Sequence, residues 1–227
     1  MPMDDEMNAE TGTAPESRSA LRRKRERELR LRMVLNAAET LFARQGYHQT
    51  GMEEIADMAE VSTGSVYFYF KNKEDLLINL MKEIGYQLRE LLGTELNKTD
   101  LSLDSLRNIA VAFLEDFCAR HPEKIAIFFR ESVGQSREVE EVRKEVFLRL
   151  VSDIKEALLR IADRLDRRFV SDAAPEVIAV CIVGIYDRLA CHYLLWRDHP
   201  KNIMDAADEV IGFMLGGVEK LLGNTEQ

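Results

Sequence analysis

A short run of hydroxyl and aromatic side chains carries the clearest chemical signal in this 227-residue sequence. Thr63, Gly64 and Ser65 place two hydroxyls around a glycine, at the start of a predicted short helix whose N-terminal end is electropositive. Small polar side chains at that end let a helix backbone approach base edges in the major groove. Tyr67 and Tyr69 follow and can offer hydroxyls to phosphate. The run therefore predicts non-covalent recognition of DNA.

Two short helices joined by a tight turn are predicted to position these side chains. Thr50 and Glu53 form a capping box, in which each side chain binds the other residue's amide, so a helix is expected over 53–60. Ser62 is the expected N-cap of a second helix over 63–70. A longer basic helix precedes both. This arrangement is typical of a helix-turn-helix, whose second helix enters the major groove.

The charge distribution supports a polyanionic partner although the net charge is −9. Residues 18–75 carry 11 Lys and Arg against 9 Asp and Glu, whereas residues 1–17 carry five acids and no base. The basic cluster comprises Arg22, Arg23, Lys24, Arg25, Arg27, Arg30 and Arg32. It is predicted to be either a solvated charge run or an arm that enters the minor groove. An acidic body would discourage indiscriminate binding.

Many positions between residues 24 and 80 agree in order and spacing with one known signature. They are Gly46-Tyr47, Thr50, Ile55-Ala56, Ala59, Val61-Ser62, Gly64-Ser65-Val66-Tyr67, Tyr69-Phe70 and Lys73-Glu74-Asp75-Leu76-Leu77. In this stretch the chain closely resembles the DNA-binding signature of the TetR family of transcriptional regulators. The resemblance implies an all-α protein, a homodimeric repressor that binds a near-palindromic operator and is released by a small-molecule effector.

The resemblance also implies which side chains contact operator DNA. The set is Thr50, Thr63, Gly64, Ser65, Tyr67, Phe68, Tyr69 and Lys73, to which the basic cluster adds Arg25. For Phe68, contact with a base methyl or sugar and partial burial are both open. Glu60 stands where the family usually has a turn glycine, so the turn must accept a side chain. Gly51 stands where a second hydroxyl is common, which removes one phosphate contact.

Three regions are predicted along the chain. Residues 1–18 form a disordered acidic tail, 19–72 the helix-turn-helix domain, and 73–227 a helical domain for ligand binding and dimerisation. Hydrophobic spacing of three to four residues recurs throughout the third region, which indicates helices only. The family resemblance implies that the last two helices form a dimer through a four-helix bundle. The expected interface residues are Ile182, Gly184, Leu189, Gly212 and Gly216.

An apolar pocket for the effector is predicted among the middle helices. The candidate lining is Phe113, Phe117, Phe128, Arg130, Phe147, Tyr186 and Arg188. A packed core is the alternative for each aromatic residue, and an inter-helix ion pair is the favoured alternative for each arginine, because buried charge is costly when unpaired. The run from Phe128 to Ser132 resembles family members that respond to fatty acyl-CoA. Ligand binding is expected to shift the helix that begins at Lys73 and so change the half-site spacing.

Other classes of protein are disfavoured by the residues present. No nucleophile–base pair, phosphate loop or metal spacing is visible, so we expect no enzyme, no metal and no cofactor. The three cysteines are predicted to be buried thiols. The acidic N-terminus lacks an apolar core, and the apolar run from Val177 to Tyr186 is about half a bilayer span, so a cytoplasmic, nucleoid-associated protein is expected. The alternative function is a DNA-bound scaffold that recruits protein partners.

Overall fold

The computed structural model describes residues 17–98, 100–196 and 202–223 and has the predicted all-α fold. The predicted acidic tail lies outside the described residues, except for its last two. The α-helices are α1 (Arg18–Gln45), α2 (Met52–Met58), α3 (Thr63–Tyr69), α4 (Lys73–Asn97), α5 (Leu103–Ala112), α6 (Pro122–Ala126), α7 (Arg137–Arg164), α8 (Ala174–Ala190) and α9 (Ala207–Leu221). Two short strands, β1 (Arg168–Phe169) and β2 (Leu222–Gly223), pair antiparallel beside the chain end.

Three helices continue beyond their α-helical part as π-helical turns. These turns are Phe113–Ala119 after α5, Ile127–Glu131 after α6 and Cys191–Leu195 after α8. A 3₁₀ turn, Ile203–Ala206, precedes α9. Because π-helical turns insert an extra residue per turn, they change which side chains face the core, and a simple 3.6-residue pattern does not predict them.

The helix-turn-helix forms with the predicted order of elements. The side chain of Ser62 accepts a hydrogen bond from the amide of Ser65 at 3.2 Å and starts α3. The side chain of Asn72 likewise accepts from the amide of Asp75 at 2.7 Å and starts α4. The predicted cap at Ser62 is confirmed. The start of α3 and the start of α4 are therefore fixed by local side-chain chemistry.

The predicted cap of α2 is wrong by one residue. Gly51 is the N-cap in extended backbone, and the carboxylate of Glu54, not of Glu53, accepts from its amide at 2.8 Å. The Thr50 hydroxyl instead donates to the Gly46 carbonyl oxygen at 2.9 Å, and Thr50 is buried. The Thr50 hydroxyl is thus held at the end of α1, where it also accepts a hydrogen bond from the Gln45 side chain at 3.4 Å.

One continuous cluster of buried side chains joins the helix-turn-helix to the helices that follow. It includes Phe42 and Val66 from the head, Leu77 and Met81 on α4, and Met214 on α9. Helix α4 therefore belongs to both parts, since its first turns complete the core of the head and its later turns pack on α7. The predicted division at residue 72 stays a prediction.

Helix α8 is strongly apolar and packs mainly on α7. With its π-helical turn it spans Ala174–Leu195, and within the described ranges this one helix has the length and composition of a membrane span, with a mean hydropathy of 1.6. The core helix of a soluble protein has the same composition. Val177 and Val180 on its outer face are about half exposed, so part of its apolar surface is uncovered in the single chain.

Candidate DNA-binding surface and ligand cavity

The recognition helix α3 turns one apolar side inward and presents the predicted base-contacting residues outward. Val66 is fully buried, whereas Tyr67 is 53% and Phe68 67% exposed. A methyl group added at Gly64 would meet nothing closer than the Ser62 hydroxyl, at 3.9 Å. The fold itself therefore does not require glycine at this position, which agrees with a need for close approach by DNA.

The basic N-terminal half of α1 is tied to the recognition helix. The Arg27 guanidinium lies over the rings of Phe68 and Tyr69, at 5.2 and 6.0 Å from their centroids. The Tyr69 hydroxyl donates to the Arg27 carbonyl oxygen at 3.3 Å. The cluster predicted as an arm or a charge run is thus helical from Arg18 onward.

A groove of 460 Å³ runs between α1 and α3. Its lining is Arg23, Glu26, Arg27, Arg30, Ser62, Gly64, Ser65, Phe68 and Tyr69. The three arginines are spaced by four and three residues, so they share one face of α1. Arg25, the predicted contact, lies two residues from Arg27 and about 200° around the helix, on the opposite face.

Lys73 and Thr50 hold the loop between α1 and α2. The Lys73 ammonium donates to the carbonyl oxygens of Tyr47 at 2.7 Å and Thr50 at 2.8 Å, and lies 4.5 Å above the Tyr47 ring centroid. Partial burial lowers the Lys73 pKa. Both side chains were predicted to contact operator DNA. In this structure their polar atoms are engaged inside the protein, and contact of either with DNA remains a prediction.

The end of the π-helical turn after α6 clasps the end of α1. The Glu131 carboxylate accepts from the Tyr47 amide at 2.7 Å, and the Arg130 guanidinium donates to the Ala43 carbonyl oxygen at 3.0 Å. Arg130 and Glu131 also pair with each other at 2.5 Å. We refer to Arg130 and Glu131 as the clasp. The sequence marked Arg130 as a candidate for the ligand pocket or an ion pair but could not show that it reaches the head.

A cavity of 520 Å³ lies among α4, α5, α7, α8 and α9. Of the predicted lining residues, Phe113 and Tyr186 line it, together with Phe129 from the turn that carries the clasp. Phe117, Phe128, Arg130, Phe147 and Arg188 do not line it. Phe117 stacks behind Phe113. Arg188 pairs with its neighbour Asp187 at 3.2 Å and lies over Trp196. Arg130 and Arg188 thus each pair with the adjacent residue of their own helix, and the expected inter-helix ion pairs are not present among the residues that the structure describes.

Sequence reasoning missed the polar pair in the cavity wall. Arg89 on α4 binds Asp153 on α7 through two hydrogen bonds, of 2.5 and 3.0 Å. The two residues are 64 positions apart. No local pattern links such residues, and only the packing of α4 against α7 brings them together.

The outer faces of α8 and α9 are open. A methyl group added at Gly184, Gly212 or Gly216 would meet no atom within 4 Å, and Phe213 beside them is 71% exposed. Three of the predicted interface residues therefore lie where a second chain has room. Two do not face outward: Ile182 lines the cavity, and Leu189 is half-buried against the core.

The cysteines only partly follow the expectation of buried thiols. Cys118 and Cys191 are buried, and burial raises the pKa of both thiols, that of Cys191 to about 11. Cys181 is exposed on the same outer side of α8 as Val177 and Val180. Among the described residues, no group of three or more His, Cys, Asp or Glu side chains could hold a metal ion.

Comparison with known proteins agrees with this architecture. Residues 34–80 match the family model described as bacterial regulatory proteins, tetR family. The fatty acid metabolism regulator protein of Bacillus subtilis is 38% identical over 73 residues, which are 32% of this chain and 38% of that protein. The chain thus matches well under half the length of that relative.

Solved structures extend the likeness of the fold to most of the chain. The fatty acid degradation regulator FadR from Bacillus halodurans superimposes with a TM-score of 0.72 at 24% identity, covering 82% of this chain and 98% of that one. FadR from B. subtilis in complex with stearoyl-CoA has the same TM-score and coverage at 22% identity. The fold and the helix-turn-helix define a DNA-binding regulatory protein. The DNA-binding domain of this chain is of the TetR family of bacterial regulators, and the chain as a whole has a fold found among solved structures of that family.

Proposed function

We propose that this protein is a homodimeric repressor that binds a near-palindromic operator and releases it when a hydrophobic effector enters the cavity. The observation that carries the proposal is the path of α4. This one helix begins in the core of the helix-turn-helix and ends in the wall of a 520 Å³ cavity. A ligand that changes the cavity wall can thus act on the DNA-binding head.

The DNA-binding part of the proposal rests on α3 and the groove beside it. Exposed Tyr67 and Phe68, the hydroxyls at the start of α3 and three arginines of α1 share one side of the head. Two such heads in a dimer would read half-sites about one helical turn of DNA apart, about 34–36 Å. The open faces of α8 and α9 supply the surface for that dimer.

A fatty acyl-CoA is the effector that we favour. The cavity wall is almost wholly apolar, and its volume lies within the range of ligand pockets, about 300–1,000 Å³. The B. subtilis structure with a similar fold was solved with stearoyl-CoA, and the relative that is 38% identical is a fatty acid metabolism regulator. A scaffold that recruits proteins would need no cavity, so this feature favours an effector over the scaffold alternative.

The clasp supplies a second route from the cavity to the DNA-binding head. Phe129 lines the cavity, and Glu131, two residues later, holds the Tyr47 amide at the end of α1. The Tyr47 carbonyl oxygen in turn accepts from Lys73 at the start of α4. Displacement of Phe129 by a ligand would thus reach the loop before α2. Coupling of this kind is typically worth about 1–3 kcal/mol.

The test is operator affinity, measured by fluorescence anisotropy over a salt series, on the promoter DNA beside the protein's own gene. We expect tight, sequence-specific binding that stearoyl-CoA weakens by about 5–150-fold, the range of typical allosteric coupling. We expect Glu131→Ala to bind the same DNA but to respond less to stearoyl-CoA, because the link to Tyr47 is lost.

Glu141→Ala is the matched control, since it removes an exposed carboxylate that pairs with Arg137 on the same helix, α7. Salt-matched affinities that are equal with and without every acyl-CoA would refute the effector model. Weak, sequence-independent binding alone would favour the scaffold role. An unchanged response in Glu131→Ala would remove the clasp from the mechanism but leave the effector in place.

A further inference from the structure

The cavity wall contains few polar side chains, and all but one have a partner. The partnered groups form three pairs, Tyr86 with Glu90, Arg89 with Asp153, and Asp187 with Arg188. The exception is Tyr186, which is 92% buried and lines the cavity. Its hydroxyl makes no hydrogen bond within the described part of the chain.

The Tyr186 side chain has a fixed position and a protonated hydroxyl that can donate a hydrogen bond. Its ring packs edge-on against Phe113, with the centroids 5.3 Å apart. Burial raises the pKa of Tyr186 to about 12, so the phenol keeps its proton at physiological pH. The hydroxyl keeps some accessible surface and is free to donate to an acceptor oxygen of a ligand in the cavity. The cavity is thus suited to a ligand that carries an acceptor oxygen beside its apolar chain.

The ion pair of Arg89 and Asp153 suggests that the ligand carries a negative charge. Asp153 meets the Arg89 guanidinium in the two-bond geometry that any carboxylate or phosphate can adopt. The side chains of Arg89 and Asp153 are 34% and 43% exposed, so either one can be rehydrated if the other is taken away. An anionic ligand in the cavity would compete with Asp153 for the same cation.

We propose that the effector is a linear anionic amphiphile, whose acceptor oxygen binds the Tyr186 hydroxyl and whose anionic group takes Arg89 from Asp153. This inference rests on the proposed effector site and specifies what it recognises. Arg89 lies on α4 and Asp153 on α7, so the exchange would remove a direct tie between these two helices. Charge on the ligand, and not chain length alone, would then be needed to release α4.

The experiment compares three ligands with one chain length, dodecanoate, dodecanoyl-CoA and dodecanol, by isothermal titration of the intact protein. We expect at least one of the two anions to bind about tenfold more tightly than dodecanol, as a charge-assisted hydrogen-bonded pair allows. Tighter binding of dodecanoate would assign the anionic group to a free carboxylate. Tighter binding of dodecanoyl-CoA would assign it to the CoA phosphates.

Three variants separate recognition from folding. Arg89→Gln should abolish the preference for the anion and leave dodecanol binding unchanged. Asp153→Asn should tighten anion binding, because the competing carboxylate is gone. Tyr186→Phe should weaken every oxygen-bearing ligand about fivefold, the value of one neutral hydrogen bond. Glu176→Gln is the control, since it breaks an exposed ion pair with Lys155 that also joins α7 to another helix.

Two results would overturn the inference. Equal affinities of the wild-type protein for dodecanol and both anions would show that the cavity recognises only the apolar chain. The proposed effector site would then remain supported, but its preference for an anion would be refuted. If Arg89→Gln weakened the binding of all three ligands equally, Arg89 would support the structure of the cavity without contacting the anionic group. Binding of none of the three ligands would instead count against the proposed effector site as a whole.

Discussion

Glu60 marks the one position in the turn of the helix-turn-helix where the backbone is strained. Its φ is +53°, a left-handed conformation that costs a residue with a side chain about 1–2 kcal/mol. Its side chain is exposed. We expect Glu60→Gly to raise the free energy of unfolding by about 0.5–1 kcal/mol, because relief of strain exceeds the greater entropy that glycine gives the unfolded chain. Urea denaturation measures this.

Glu60→Ala separates backbone strain from charge. Alanine removes the carboxylate but keeps the Cβ, so its stability should match the wild type within about 0.5 kcal/mol. Equal stabilisation by alanine and glycine would assign the effect to charge and contradict the role of the positive φ. The turn therefore accepts a side chain where the family usually has glycine, and we expect this to lower the free energy of unfolding by a measurable amount.

The N-terminal half of α1 is an exposed basic helix that the protein core does not explain. Between Leu21 and Arg30 every residue is exposed. We expect the triple variant Arg23→Ala/Arg27→Ala/Arg30→Ala, on the face that lines the groove beside α3, to reduce the salt slope of operator binding by about 3. Each lost phosphate contact lowers that slope by about one. Anisotropy titrations at several salt concentrations measure it.

The opposite face of α1 provides a control of equal charge. Arg18, Arg25 and Arg32 are spaced by seven residues, two helical turns, and are exposed. Their triple substitution by alanine also removes three positive charges but should change the slope by less than about one. Similar slopes for the two variants would mean that α1 acts only through its overall charge, and a larger effect of the second variant would restore Arg25 as the contact.

At the scale of the whole molecule, α8 and α9 expose apolar side chains that the proposed dimer would cover. Val177, Val180 and Phe213 are between 45% and 71% exposed on these helices. We expect Phe213→Glu to convert a dimer into monomers in sedimentation experiments at micromolar concentration, because an unpaired charge would be buried at the interface. The operator affinity of this variant should fall as the dimer is lost, because a monomer binds only one half-site.

Leu148→Glu is the matched control, because Leu148 is 53% exposed on α7, outside the proposed interface. It should remain dimeric. A wild-type protein that sediments as a monomer would contradict the proposed homodimer. A Phe213→Glu variant that stays dimeric would remove α9 from the interface. Alkylation of Cys181 gives an independent readout, since a dimer through α8 should protect this exposed thiol.

The sequence by itself determined the elements that depend on local interactions. The caps at Ser62 and Asn72, the end of α1 at Gly46 and the all-α fold follow from side chains within a few residues of each other. The same holds for the exposed face of α3, because helical spacing fixes which side chains oppose a buried Val66.

Only the tertiary structure decided which distant residues meet. Glu131 reaches Tyr47 from 84 residues away, and Arg89 on α4 pairs with Asp153 on α7. Five predicted lining residues lie outside the cavity for the same reason. A periodic pattern shows that a side chain is buried, but the π-helical turns and the packing of helices decide what it is buried against.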